Sequence, residues 1–128
     1  MKLHQTFLMT SDLERSKAFY EALGFDILEE GSRSVAFETG AAQLKIEADF
    51  GEAELAAFGL EPPGERRGDG VIIVVDVDDV DAVSENAEAA TAAYGGDVLT
   101  TPRDVDWGRR LMLVEDPDGY VLEISQPQ

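Results

Sequence analysis

The chain contains one short pattern twice, and this repeat constrains the fold more than any other feature. In each copy an apolar strand leads into a helix that opens at an aspartate, Asp12 in the first copy and Asp79 in the second. Gly24 and Gly95 then end the two helices. The repeat predicts two copies of one small unit related by a pseudo-twofold axis, with any pocket at or near their junction.

Apolar periodicity and turn residues predict the same order of elements in both units, with helices at 12–23 and 79–94 and a further helical stretch at 52–58. The predicted strands cover residues 3–9, 26–30, 34–38, 43–47, 71–77, 97–101, 109–114 and 120–125. Ser11 and Glu14 match a capping box at the start of the first helix.

Charge and composition exclude several classes of function. The chain has 27 acidic and 10 basic residues, a formal net charge of −17, which disfavours binding to nucleic acids and to anionic membranes. No apolar run approaches the roughly 20 residues of a membrane span. Because cysteine is absent, disulfides and thiolate metal sites are excluded. We expect a cytoplasmic protein, and the spread of acids along a chain of normal apolar content favours adaptation to high salt.

Several motifs together resemble the vicinal oxygen chelate superfamily, which includes glyoxalase I, bleomycin-resistance proteins and extradiol dioxygenases. Each motif alone is weak, but they occur in the family's order across nearly the whole chain. They are residues 11–16 with Phe19 and Tyr20, residues 23–25, residues 77–82, residues 107–109, the Asp-Pro-Asp-Gly turn at 116–119 and residues 122–124.

The resemblance implies an α+β fold made of two tandem βαβββ modules that form an open, barrel-like cleft. The modules would span residues 1–50 and 71–128 of one domain, residues 1–128, joined by a linker at 51–70 that could also act as a lid. Family members often form homodimers. They typically hold a divalent metal with one residue from the first and last strand of each module, and the metal polarises the substrate.

Four positions of this chain match the family's metal ligands, and only two of them have a donor atom. The first ligand precedes the helix-opening aspartate by seven residues, which gives Gln5 and Ile72, and the last strands supply Lys45 and Glu123. Isoleucine has no ligand atom, and a lysine ammonium has no acceptor. Two donors are too few for a conventional site. We therefore expect no resident metal or other cofactor.

Two alternatives remain open at these positions. A slip of one strand would replace Lys45 by Glu47, so that Gln5, Glu47 and Glu123 could hold Ni, Mn, Zn or Fe, with Glu123 as the catalytic residue. His4 is the only histidine, and strand alternation places it on the face opposite Gln5. In the other alternative Lys45 and Glu123 pair across the cleft, and the ammonium replaces the divalent cation. Lys45 could also simply reach solvent.

Aromatic and basic residues complete the candidate cleft. Trp107 and Phe7 could line an apolar pocket, although Phe7 is the better candidate for the core. Arg109 could bind an anionic ligand, but surface salt bridges are the stronger expectation for Arg109 and Arg110. The predicted ligand-binding residues are Gln5, Phe7, Lys45, Glu47, Ile72, Trp107, Arg109 and Glu123.

Three classes of function follow, in order of preference. The first is a metal-free protein that binds a small molecule in a cleft without the full metal-ligand set, as bleomycin-resistance proteins do. The second is a metal-dependent lyase, isomerase or dioxygenase with an atypical site. The third is an interaction module whose cleft has lost its ligand.

Overall fold

The computed structural model describes all of residues 1–128. Its strands and helices follow the order predicted from the sequence. They are β1 (Gln5–Thr10), α1 (Leu13–Leu23), β2 (Asp26–Glu30), β3 (Ser34–Glu38), β4 (Gln43–Ala48), α2 (Glu52–Phe58), β5 (Ile72–Asp76), α3 (Val80–Tyr94), β6 (Asp97–Val105), β7 (Arg109–Glu115) and β8 (Val121–Pro127).

The strands form two four-stranded mixed sheets with the same topology. The first sheet has the order β1-β4-β3-β2 and the second β5-β8-β7-β6. In each sheet the first and last strands of the module pair in parallel, and the remaining pairs are antiparallel. The sheets do not close into a barrel, so the predicted α+β fold of two βαβββ modules with an open cleft is confirmed. None of the three helices is long and apolar enough to cross a membrane.

The two aspartates of the repeat cap their helices, as predicted. The Asp12 side chain accepts a hydrogen bond from the backbone N–H of Arg15, and the Asp79 side chain accepts bonds from the N–H groups of Asp81 and Ala82. The predicted capping box with Ser11 is wrong. Its hydroxyl instead donates to Asp118 at 2.6 Å, because the second module supplies a stronger, charged acceptor.

Each sheet turns alternate residues toward one shared core and the others outward. Helices α1 and α3 pack against each other and against the inner faces of the sheets. Side chains of both modules therefore belong to a single buried cluster, which includes Leu8, Phe19, Tyr20, Phe37, Ile46, Val80, Ala87, Met112, Leu122 and Ile124. This packing leaves the other face of each sheet outside the core.

The Asp-Pro-Asp-Gly turn before β8 joins the modules through buried hydrogen bonds. Asp118 accepts a bond from the Thr10 hydroxyl at 2.5 Å as well as the bond from Ser11. Burial alone would raise the pKa of Asp118, but the bonds from Ser11 and Thr10 hold it below its usual value. The Tyr20 hydroxyl donates to Asp116 at 2.6 Å, yet burial still raises the pKa of Asp116. The turn thus makes a buried polar contact between the two modules, which we call the joint.

Candidate functional site

The strand register supports the assignment of Lys45 and Glu123 to equivalent ligand positions in the last strands of the two modules. In the first sheet Phe7 of β1 lies opposite Lys45 of β4. In the second sheet Val74 of β5 lies opposite Glu123 of β8. Because Phe7 and Val74 hold the same position relative to the capping aspartates, the two charged residues occupy matching places in the two modules.

All four predicted ligand positions lie on the outer faces of the sheets. On β4 the buried residues Leu44 and Ile46 face the core, so Lys45 between them faces outward. The same alternation on β8 turns Glu123 outward between the buried Leu122 and Ile124. Gln5 and Ile72 share these outer faces with Lys45 and Glu123, respectively. One chain therefore presents two separate pairs of ligand positions, one pair on the outer face of each sheet. We call each pair a half-site.

On the outer face of the first sheet, the charged and aromatic side chains are largely paired with one another within the chain. The Lys45 ammonium lies 3.3 Å from the Glu47 carboxylate and 5.0 Å from the centre of the Phe7 ring. The hypothesis that Lys45 pairs with Glu123 inside one chain is therefore wrong, since the two residues lie on separate faces and Lys45 binds Glu47. The assignment of Phe7 to the core is also wrong. Its side chain is 39% exposed and packs edge-on against Phe50.

The outer face of the second sheet is open and apolar, with one carboxylate at its centre. Val74 and Leu113 flank Glu123 on the neighbouring strands. Ile72 and Val74 remain 56% and 58% exposed. Glu123 is half-buried and makes no hydrogen bond or ion pair through its side chain. It is thus a charged group in apolar surroundings without a partner in its own chain.

A cavity of about 490 Å³ adjoins this face at β6 and β7. Trp107, the only tryptophan, is 66% exposed at its rim, and Asp106 beside it has no ion-pair partner. The lining residues are Thr100, Arg103, Asp104, Val105, Asp106, Trp107, Leu111 and Leu113. Sequence analysis found only Trp107 among them. Leu111 and Leu113 were not identified, although the alternation along β7 places both on one face.

A second, larger groove of about 800 Å³ lies at the junction of the modules, where the sequence predicted a pocket. Residues from both modules line it, including Leu3, Thr6, Phe25, Ile73, Val75 and Asn86. None of the eight predicted ligand-binding residues borders it. The candidate residues therefore point to the outer faces rather than to this groove.

The two arginines after Trp107 form salt bridges, as predicted. Arg109 pairs with Asp76 and donates through Nε to the Ser125 hydroxyl at 2.7 Å. Arg110 binds Asp81 at 2.9 Å and Asp104 at 3.1 Å. The hydrogen bond from Arg110 lowers the pKa of Asp81. Both guanidinium groups are thus already engaged by carboxylates and offer little to an anionic ligand.

The residues at the family's metal position do not fit a divalent metal. Lys45 and Ile72 provide no ligand atom, and the amide nitrogen of Gln5 donates to Gln43 at 3.1 Å. Glu47 is engaged by Lys45, and its outer face is separate from that of Glu123. No three His, Asp or Glu side chains come together anywhere as a metal cluster. His4 is exposed, before the start of β1.

Comparisons with known proteins agree with this architecture. The family model "Glyoxalase/Bleomycin resistance protein/Dioxygenase superfamily" matches residues 2–124. Proteins named "Putative glyoxylase CFP32" from Mycobacterium bovis and Mycobacterium tuberculosis are 29% identical over 120 residues, which is 94% of this chain. The chain spans only 42% of the length of these curated relatives.

Two solved structures share the fold. A glyoxalase-related enzyme from Fulvimarina pelagi superimposes with a TM-score of 0.78 at 21% identity, covering 98% of this chain and 88% of the other. A protein of unknown function from Agrobacterium tumefaciens gives a TM-score of 0.77 at 26% identity, covering 100% and 95%. The family match over residues 2–124 shows that the chain belongs to the glyoxalase/bleomycin resistance protein/dioxygenase superfamily.

Proposed function

We propose that this protein binds a small organic molecule at the outer face of its second sheet, without a resident metal ion. The observation that carries the proposal is the pairing of an open apolar face with an incomplete donor set. Ile72 and Val74 are more than half exposed, and Ile72 itself occupies a family ligand position without a metal-binding side chain. Such a face favours binding through apolar contact and charge.

The aromatic ring and the carboxylates around the cavity favour a cationic ligand. Trp107 offers the aromatic face that binds cations best, and Asp106 beside it carries a free carboxylate. Glu123 adds a second unpaired carboxylate on the same sheet face. The net charge of −17 would also raise the local concentration of cations. Arg109 and Arg110 are engaged by aspartates, which leaves Arg103 as the one cavity-lining basic group without an ion pair.

The protein is also proposed to work as a homodimer. The two half-sites of one chain lie on separate outer faces, so a ligand enclosed on both sides needs a second copy. Sedimentation velocity over a range of concentrations tests this, and a monomer at every concentration would contradict it.

The absence of a resident metal ion is tested first. Protein purified without chelator or affinity tag is analysed for metal content and then titrated calorimetrically with Ni²⁺, Mn²⁺, Zn²⁺ and Fe²⁺ in high salt. We expect no saturable binding. Stoichiometric binding that Glu123→Ala abolishes would overturn the proposal and favour the metal-dependent enzyme built on Gln5, Glu47 and Glu123.

Ligand binding is followed through Trp107, whose fluorescence reports on the cavity alone because the chain has no other tryptophan. The probes are benzyltrimethylammonium and bleomycin. We expect a saturable change that Asp106→Asn weakens. Asp78→Asn removes the same charge from an exposed loop residue whose side chain makes no hydrogen bond or ion pair, and it serves as the matched control. Equal weakening by both variants, or no saturable change, would contradict a site at Trp107.

The acidic surface is proposed to reflect adaptation to high salt in the cytoplasm. Self-repulsion among 27 acidic residues opposes folding at low ionic strength and is screened as salt rises. The thermal midpoint should therefore rise as KCl increases from about 0.1 M to about 2 M. A flat or falling midpoint would contradict the adaptation.

A further inference from the structure

We propose that Lys45 of one copy pairs with Glu123 of a second copy across the cleft, so that an ammonium group takes the place of the metal ion. The outer face of the first sheet would cover the outer face of the second sheet of its partner. This inference rests on the homodimer of the proposed function, and it names the contact that completes each cleft.

The first argument is the unpaired charge of Glu123. A half-buried carboxylate among Val74, Leu113 and Ile72 loses part of its hydration and gains no hydrogen bond in return. Natural proteins rarely keep such a group unless a partner or ligand supplies the opposite charge. The only basic residues on the same face are Arg103, at the far strand, and Arg109, which already binds Asp76. Glu123 therefore has no basic partner in its own chain, and a second copy can supply one.

The second argument is the free hydrogen-bonding capacity of Lys45. Its ammonium has three donors, and within the chain one carboxylate, that of Glu47, lies within reach at 3.3 Å. The side chain is 25% exposed and lies over the Phe7 ring, which directs it away from the core. A lysine held in this way presents a positive charge on an otherwise acidic protein. This ammonium group can supply the positive charge that Glu123 lacks in its own chain.

The third argument is the register. Lys45 lies opposite Phe7, and Glu123 lies opposite Val74, at equivalent positions of two modules with the same topology. If the two faces meet about a pseudo-twofold axis, equivalent positions come face to face. A symmetric dimer then contains two identical clefts, each with one Lys45–Glu123 pair.

Exposed apolar side chains also favour a second copy of the chain as the partner. Phe7 on one face and Ile72 and Val74 on the other are 39%, 56% and 58% exposed, respectively. Burying these side chains would supply apolar contact area, and the surrounding contacts would exclude water from the ion pair. A small ligand bound near Trp107 would then lie beside the pair rather than on a metal.

The test uses two charge-reversal variants, Lys45→Glu and Glu123→Lys. Each alone should raise the dissociation constant of its homodimer at least about tenfold, because like charges then meet in both clefts. Mixing the two variants should restore dimers, since a heterodimer contains one reversed pair and one native pair. Native mass spectrometry of mixtures in which one chain carries an isotope label distinguishes the heterodimer from both homodimers.

Lys17→Glu is the matched control, because it reverses a lysine on helix α1 that pairs with Glu30 away from either outer face. It should leave its own dimer unchanged. Mixed with Glu123→Lys it should form no heterodimer beyond the statistical share, since that heterodimer keeps one native pair and one contact between two lysines. Circular dichroism verifies that each variant folds. Homodimers unaffected by either reversal, or a mixture that forms no heterodimer beyond the statistical share, would overturn the pairing.

A second measurement needs no variant. Carbodiimide joins carboxylates to amines in direct contact, and peptide mapping of mixed light and heavy chains shows which links cross between copies. We expect an interchain Lys45–Glu123 link beside the intrachain Lys45–Glu47 link. Its absence when the latter forms would contradict the proposal. Failure of the pairing leaves metal content and Trp107 titrations unaffected, so it can be told apart from failure of the proposed function.

Discussion

Asp118 and Glu123 lie on the same short stretch of chain, yet the fold treats their carboxylates in opposite ways. Asp118 is buried and accepts hydrogen bonds from Thr10 and Ser11 of the other module. Glu123 faces outward from an apolar sheet and has no partner. An unpaired buried charge is costly, so the hydrogen bonds to Asp118 stabilise the fold. The carboxylate of Glu123 remains free to accept hydrogen bonds from a ligand or a second copy.

The two outer faces differ in the same sense. On the first sheet Lys45, Glu47 and Phe7 contact one another, and Phe50 covers the edge of the Phe7 ring. On the second sheet Ile72 and Val74 have no such cover. The two sheets thus have the same topology, but the side chains on the first outer face are mostly paired and those on the second are not. The open face is where binding is expected.

Asp118→Ala should produce the largest change. Removing the carboxylate leaves the hydroxyls of Thr10 and Ser11 without their acceptor inside the joint, and the loss of unfolding free energy should be about 3 kcal/mol or more. Urea denaturation at neutral pH measures it. A loss below about 1 kcal/mol would mean that the joint is not what holds the modules together.

Asp118→Asn sharpens the comparison through pH. Because the folded pKa of Asp118 is lowered, its ionised form adds stability that is present above the unfolded pKa of about 3.9 and is lost as pH falls through the folded pKa. The difference in stability between the native protein and this variant should therefore be full at neutral pH and shrink in that acidic range. Denaturation at a series of pH values checks this, and a constant difference would contradict it.

Phe7→Ala and Val74→Ala compare the two outer faces directly. Phe7 packs against Phe50 and the Lys45 ammonium, so its removal should cost about 1 to 2 kcal/mol. Val74 is 58% exposed, and its removal should cost less than about 0.5 kcal/mol. Both are measured at concentrations low enough for monomers to dominate. Equal costs would mean that the faces are equally covered.

Glu123→Gln should have the smallest effect on the monomer, within about 0.5 kcal/mol, because no bond inside the chain is lost. The same change should weaken the dimer. Sedimentation equilibrium and urea denaturation of one preparation give both values. A large loss of monomer stability would reveal an intrachain role for this carboxylate.

Much of the fold was predictable because its signals are local. Apolar periodicity, the caps at Asp12 and Asp79 and the helix at 52–58 depend on residues close together in the chain. The errors concern contacts between distant residues. Ser11 binds Asp118 instead of capping its helix, and β6 continues to Val105, past the predicted end at residue 101.

The candidate site was predictable in identity but not in arrangement. The sequence alone established the two repeated modules and the acidic surface, because these follow from residue type and order. The missing metal donors at Lys45 and Ile72 followed from matching the sequence to the family it resembles. It could not establish which sheet face each residue occupies relative to the other module. Packing of α1 against α3 turns the faces of Lys45 and Glu123 outward, and that choice depends on contacts between residues far apart in the chain, which no local pattern encodes.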